Sequence, residues 1–467
     1  MGVSFRSWPA RLVARPWLLC FVPINAATAG FGVVLPLLIL IPLHGSWADV
    51  AVAATLYNST LILASVAWGH LSDRYRIRRR FLILNYAGFA ALYALMIDVG
   101  SLPALYALYA VIGALAPAGA SASNLLILEK FTESERASAF ASFQEVSMVG
   151  SLVGLLAGYF WTEGNEGLLA LLAVFAALAL ASAVAVALAI SEADRKLTTS
   201  SVARHPESLI SRLRPSGPAH TSVPFFPHRP RLRPAPVGRL RRWAAEELHH
   251  ELPLIMIASF LFSLSANLFN ISYTPYLYSI GLAAASIFLV NLGNNLAQAV
   301  VFPLTGGLAN RRGIDRIVRT ATYVRGVGYL AAAGLTFAVL ARPAAFGANL
   351  AIYALLGGAI AVYTTSSTLI LFRGVAGREA GSLLGVNSAL GGGAAVVGAG
   401  LSGLLAVVGS FRLVFLVSAA ILLASLPLWT AATIAYGRRR RPAPDAPPPD
   451  APAARVGVEP TAAAKTH

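Results

Sequence analysis

A single carboxylate stands deep inside an apolar run: Glu145 lies nine residues after Arg136 in the stretch 136–161. At 1.5 Å of rise per helical residue that is about 13 Å, near the middle of a hydrocarbon core of ~30 Å. A charge at that depth costs on the order of 3 kcal/mol or more, so an acid placed there points to proton or cation traffic. Glu145 is the candidate proton-coupling group; the competing use is a hydrogen-bonded glutamate that fixes its helix to a neighbour. Neutral polar groups also fall on helical faces. Ser263, Asn267, Asn270 and Thr274 recur at i, i+4, i+7 and i+11, and Asn291, Asn295 and Gln298 at i, i+4 and i+7. Each set is one stripe of one helix. Asn25, Thr28, Asn58, Ser121, Asn124, Thr364, Ser367 and Asn387 add amides and hydroxyls in other apolar runs. Facing lipid they would be costly, so they should face protein or water. With Tyr57, Phe269 and Tyr273 they could line a mostly neutral substrate cavity; hydrogen bonding between helices is the alternative.

A second kind of chemistry sits at 68–80, WGHLSDRYRIRRR, where Asp73 precedes five arginines. This reads as an apolar helix that ends at a glycine and leaves the membrane. Gly69 permits close approach of a neighbouring helix, and an acid at the membrane edge suits the positive N-terminal end of another helix. Asp73, Arg74 and Arg78 could therefore form a cytoplasmic latch, with Glu129 as a partner for Arg78. The plainer reading is a set of solvated arginines that anchor topology.

What is missing narrows the class. There is no GxxxxGK[ST] loop, HExxH or GxSxG, which disfavours an ATP-driven pump and any enzyme, and no cofactor is expected. The one cysteine, Cys20, allows no disulfide within the chain, and metal-ligand spacings are absent. Hydrophobic residues make up 57% and charged residues 12%, against about a quarter charged in soluble domains. The net charge of +16 does not call for nucleic acid, because the cations sort by membrane side.

Those groups must be positioned by apolar segments, at about 17–43, 47–71, 80–98, 102–128, 136–161, 167–190, 253–280, 282–309, 318–340, 344–372, 379–408 and 411–436. Such runs are too long and too continuous for barrel strands. Threaded in and out, they leave all but Arg325, Arg342 and Arg412 of the 36 Lys and Arg on one side, which assigns both termini to the cytoplasm. The first segment is too long for a cleaved signal peptide. Arg325, inside the ninth segment, could be a ligand group, but the expected use is to snorkel to the near interface. The sequence thus describes an all-α membrane protein of twelve transmembrane helices in the plasma membrane. Its parts are a six-helix bundle at 1–190, a polar cytoplasmic linker at 191–250, a second bundle at 251–436 and a disordered tail at 437–467. The linker is rich in arginine and proline, and its end could form an amphipathic helix around Trp243.

The halves repeat. A constant offset of 237 carries Gly69, Leu71, Arg74 and Ile77 onto Gly306, Leu308, Arg311 and Ile314, places Asp73 on Asn310, and carries Asn58 onto Asn295. Nearby offsets carry Pro36 onto Pro275, Arg136 onto Arg378 and Glu145 onto Asn387. Over 17–436 the chain resembles the major facilitator superfamily, whose signature after the second helix is matched by Gly69, Asp73, Arg74 and the basic run 78–80. Arg76 and Ile77 depart from it, and the second copy keeps Gly306, Arg311 and Gly313 but has Asn310 for the acid. The resemblance implies two pseudo-symmetric six-helix bundles with a solute site near the midplane. It also implies that Asp73 faces the start of the eleventh helix, near Arg378 and Glu379. Sugar-porter sequences after the sixth and twelfth segments are absent, as is an arginine in the fourth.

The function this implies is secondary active transport of a small organic solute by alternating access. Proton-coupled export of neutral or cationic amphipathic compounds fits a cavity without fixed cations; uptake of a polar nutrient by symport or uniport is the alternative. A transporter-like sensor or assembly partner, using the basic linker as contact surface, is a reading of another class. The expected partners are solute, membrane lipids and protons, with the protein a monomer.

Overall fold

The computed structural model describes residues 16–75, 77–131, 133–164, 167–190, 251–374, 380–408 and 410–440. The linker with Trp243 and the tail beyond 440 lie outside the described residues. With no water in the hydrocarbon to bond the backbone, long apolar runs must close their hydrogen bonds internally, and all the described elements are helical. A 3₁₀ turn, Pro16–Cys20, leads into α1 (Phe21–Leu40); α2 (Trp47–Tyr75), α3 (Arg78–Leu95), α4 (Leu102–Lys130), α5 (Glu133–Glu163) and α6 (Leu168–Ala189) complete the first half. The second comprises α7 (Glu251–Ser279), α8 (Ala284–Arg312), α9 (Ile314–Leu335), α10 (Arg342–Gly374), α11 (Ala380–Val408), α12 (Phe411–Ala424) and α13 (Leu426–Arg440). The last two are one span broken at Ser425, because Pro427 offers no N–H to the preceding turn.

Among the described residues eleven segments are long and apolar enough to cross a membrane. The twelfth, α9, is 22 residues long, about 33 Å, but carries Asp315, Arg316, Arg319 and Arg325. Arg325 does not snorkel as expected. It is 2% exposed and donates from Nε to the Tyr329 hydroxyl at 2.6 Å and from Nη1 to the Leu356 carbonyl at 3.4 Å. Its guanidinium lies 5.3 Å from the Phe262 ring centroid, so aromatic faces replace the water it would otherwise seek.

The repeat is visible in the elements themselves. α2 and α8 are each 29 residues long, and both their first and last residues are 237 apart. α2 therefore does not end at Gly69, as the sequence suggested, but runs on to Tyr75. Its counterpart passes through Gly306 and stops where Gly313 adopts φ +81°, a conformation that favours glycine. In the first half α2 packs on α4, α1 on α5 and α6, and α3 on α6. In the second α8 packs on α10, α7 on α11 and α12, and α9 on α12. The two most extensive seams between halves, α2 on α11 and α5 on α8, exchange under the same correspondence.

Candidate functional site

Glycines decide where the amide-bearing helices touch. A Cβ on Gly150 of α5 would come 2.8 Å from Asn25 Cβ of α1, and one on Gly154 would collide with the Ala26 carbonyl. The second half repeats the device: a Cβ on Gly398 of α11 would lie 3.1 Å from Asn267 Cβ and 2.9 Å from the Leu264 carbonyl oxygen of α7. Asn25 and Asn267 thus occupy the same crossing in each half. Gly113 of α4 meets the backbone at Tyr57 of α2, and Gly357 of α10 meets the backbone at Asn294 of α8; Asn294 lies 237 residues after Tyr57. Of the glycines at 391–400, only Gly392 and Gly398 press against another helix among the described residues.

The amides spend a donor on their own helix. Asn25 Nδ2 donates to the Phe21 carbonyl at 2.7 Å, Asn58 to Ala54 at 2.8 Å, Asn267 to Ser263 at 2.8 Å and Asn295 to Asn291 at 3.0 Å. A carboxamide has two donor hydrogens and an acceptor oxygen, so among the described residues each retains one N–H and Oδ1 for another partner. Thr28 and Thr364 likewise donate to carbonyls four residues back, at 3.0 and 2.9 Å. Asn25, Thr28, Asn58, Ser263, Asn267, Asn295 and Asn387 are half-buried, whereas Asn124, Asn270 and Thr364 are exposed.

Two expected cavity aromatics are elsewhere. Phe269 and Tyr273 are fully buried in the second bundle, stacked on each other at 4.9 Å, with Phe269 on Tyr329 at 4.1 Å and Tyr273 on Tyr353 at 4.4 Å. The Tyr273 hydroxyl donates to Asn349 Oδ1 at 3.0 Å. Packing claims these rings because each covers a large apolar area and finds ring partners on α9, α10 and α12. Tyr57 stays half-buried and stacks on Tyr109 at 4.6 Å. Asn294, which the stripe pattern passed over, donates to the Tyr353 carbonyl at 2.7 Å and accepts from Gln298 at 2.7 Å. The 237-residue offset from Tyr57 was the signal that could have found it.

Glu145 is half-buried on α5, with Oε2 shielded from solvent. Five residues separate it from Gly150, about 140° around the helix, so it is turned away from the face that packs on α1. The latch residues are less defined. Gly69, Asp73 and Arg74 lie on α2, Glu129 on α4, and Gly306 and Asn310 on α8, with side chains outside the description, and Arg378 and Glu379 lie outside the described residues. Arg78 is 7% exposed at the start of α3, Arg311 is exposed, and neighbouring Arg79 donates to the Ala187 carbonyl of α6 at 2.5 Å.

At the arginine-poor end the halves meet directly. Trp47 stacks on Phe411 with centroids 4.2 Å apart, a Cβ on Gly158 would strike the Phe288 ring, and one on Gly403 would lie 3.2 Å from Ala51 Cβ. Asp49 steadies this rim by accepting from the Ser46 backbone N–H at 2.6 Å and the Tyr106 hydroxyl at 2.7 Å. Trp47→Ala and Phe411→Ala should each lower thermal stability, and a double-mutant cycle should give a coupling of about 1 kcal/mol.

The sequence matches the family described as Major Facilitator Superfamily over residues 17–237 and 255–465, which spans both halves. The chain belongs to the Major Facilitator Superfamily. It is a multi-pass membrane transporter. Among solved structures, this Major Facilitator Superfamily chain is similar to a point mutant of the nucleoside transporter NupG, with a TM-score of 0.65 and 11% identity over 89% of this chain and 98% of that one. A second NupG structure gives 0.63 and 11% over 90% and 98%. At that identity the likeness shows the fold. No curated protein matches the sequence.

Proposed function

We propose that this Major Facilitator Superfamily member is a secondary transporter that moves a small, uncharged or cationic organic solute by alternating access. The observation that carries the reading is the pair of exchange-related seams, α2 on α11 and α5 on α8. Two bundles joined in this way can rock about a central site while each keeps its own interior, held by glycine crossings, intact. The half-buried amides Asn25, Asn58, Asn267, Asn295 and Asn387 supply hydrogen bonds to the solute, and the exposed Asn124, Asn270 and Thr364 extend the same polar lining. Glu145 carries the coupling proton. Both termini lie in the cytoplasm of the plasma membrane, and the protein works as a monomer.

Proton exchange makes the preferred direction export of amphipathic compounds. A second reading, uptake of a polar nutrient, is favoured by the overall likeness to a nucleoside transporter, whose solute is neutral and polar. Proteoliposomes holding the full chain decide between them. Counterflow is measured for a panel containing labelled uridine and a labelled amphipathic amine, followed by accumulation under a pH gradient of each sign. Counterflow by none of the panel compounds would favour the sensor reading.

Asp73 is proposed to latch the arginine-rich end to the start of α11, with Gly69, Arg74, Arg78 and Glu129 around it and Gly306, Asn310, Arg311, Arg378 and Glu379 on the opposing side. Asp73→Asn should open that end, seen as several-fold faster alkylation of a cysteine placed at Asn58. Unchanged alkylation and unchanged transport would remove the latch.

A further inference from the structure

A cleft of about 400 Å³ lies between α8, α9 and α10, away from both seams between the halves. Its walls are apolar and small: Val301 from α8, Val324 from α9, and Ala354, Gly358 and Val362 from α10. Leu355, also in its wall, is 49% exposed, so the cleft opens toward the surrounding membrane rather than the bundle interior. At the arginine-rich end its mouth is formed by Arg312 and Arg316, both exposed.

These arginines hold no acid among the described residues. Residues 311–319 contain four arginines against the single acid Asp315. Arg319, the most turned inward of the four, donates to the Asp315 carbonyl at 3.2 Å and reaches Thr430 of α13 at 3.5 Å, so it is tied to its own bundle. Arg312 and Arg316 flank the Gly313 turn and present two guanidinium groups where the membrane meets water. Above them the cleft wall is apolar for about 12 Å, the rise from Arg316 to Val324, apart from Thr320, whose hydroxyl donates to the Arg316 carbonyl at 2.9 Å.

We infer that this cleft binds an anionic glycerophospholipid, its phosphate held by Arg312 and Arg316 and one acyl chain laid along the wall at Gly358. The chemistry requires both parts. Guanidinium groups match phosphate oxygens in a bidentate fork, and basic pockets between spans at a membrane surface recruit acidic lipid headgroups. A free phosphate would leave the apolar wall uncovered, and a zwitterionic lipid would bring its own cation up to the two arginines and leave their charge uncompensated. Gly358 is what makes room: a Cβ there would already stand 3.5 Å from the Val301 side chain, and anything longer would project into the cleft. A lipid seated against α8, whose other face forms a seam with α5, gives the membrane a handle on an interface that has to move.

The test uses the full chain, offered equal amounts of phosphatidylglycerol and phosphatidylcholine and examined by native mass spectrometry. Wild type should retain phosphatidylglycerol in preference. Arg312→Gln with Arg316→Gln should cut that retention roughly 30-fold with an unchanged melting temperature, since both side chains are exposed. Gly358→Leu should lose the acyl chain's place and retain neither lipid. Equal retention of the two lipids by wild type would overturn the proposal. So would undiminished phosphatidylglycerol retention in the double arginine variant or in Gly358→Leu.

Discussion

Gly154→Ala should destabilise the first bundle by about 2 kcal/mol, and Gly154→Leu should leave little folded protein in the membrane. The added carbon meets backbone, not a side chain that could swing aside: the carbonyl, its carbon and the Cα of Ala26 all lie in its way. Overpacking a close-fitted interior costs ~1–3 kcal/mol even for one or two carbons, and here α1 would have to move off α5 bodily. Ala26 is fully buried, so there is no slack behind it. A Cβ on Gly32, two turns further along α1, would meet nothing within 4 Å among the described residues. Gly32→Ala should therefore be harmless, or gain up to about 1 kcal/mol from helix propensity. Thermal unfolding of the solubilised full chain, measured on both variants, separates a steric cost from a general intolerance of the α1–α5 pair. Equal effects at the two glycines would contradict the crossing geometry.

Glu145→Gln should abolish accumulation of solute against its gradient while leaving counterflow within about twofold of wild type. Glutamine keeps the size and the hydrogen-bonding edge of the side chain but cannot release a proton. Exchange of solute for solute needs only the rocking of the bundles, whereas uphill movement needs the proton to travel with or against the solute. The accumulation ratio in a pH-gradient experiment should fall to about one. A variant that still accumulates solute would assign Glu145 the structural role instead, a hydrogen-bonded residue on the face of α5 turned from α1.

Much of this architecture is legible from hydropathy because lipid leaves a chain few options: an apolar run of about 20 residues has to be a helix. The segments read from hydropathy, 47–71 and 282–309, missed the true ends, but α2 and α8 begin and end 237 residues apart, the same offset that relates the two motif copies. Periodicity was less reliable about which groups face the cavity. Tyr273 and Phe269 sit one residue or so from the polar stripe of α7, and a helical wheel cannot tell a cavity face from a bundle interior when both are adjacent. Arg325 shows the same limit from the other side. Sequence reasoning sends a lone intramembrane arginine to the nearest water, but Phe262 and Tyr329 supply an aromatic environment that becomes visible only once α7 and α9 are packed together. Gly69 was read as an end because glycine often follows the last turn of a helix; inside α2 it is instead a residue without a side chain at a membrane edge. Charges along the loops carry the proposed sidedness, while the partner of Asp73 depends on helix contacts that no local pattern encodes.

Rocking of the two bundles can be tested without deciding the solute's chemistry in advance. Cys20 is the one native cysteine and is buried; it is replaced by serine, and Trp47→Cys with Phe411→Cys places a thiol on each half where the native rings stack at 4.2 Å. The oxidised pair is then assayed for counterflow of whichever panel compound the reduced protein carries. Alternating access predicts that the disulfide stops counterflow by holding the arginine-poor end shut, and that reduction restores it. Undiminished counterflow through the fully cross-linked protein would contradict a mechanism in which that end must part.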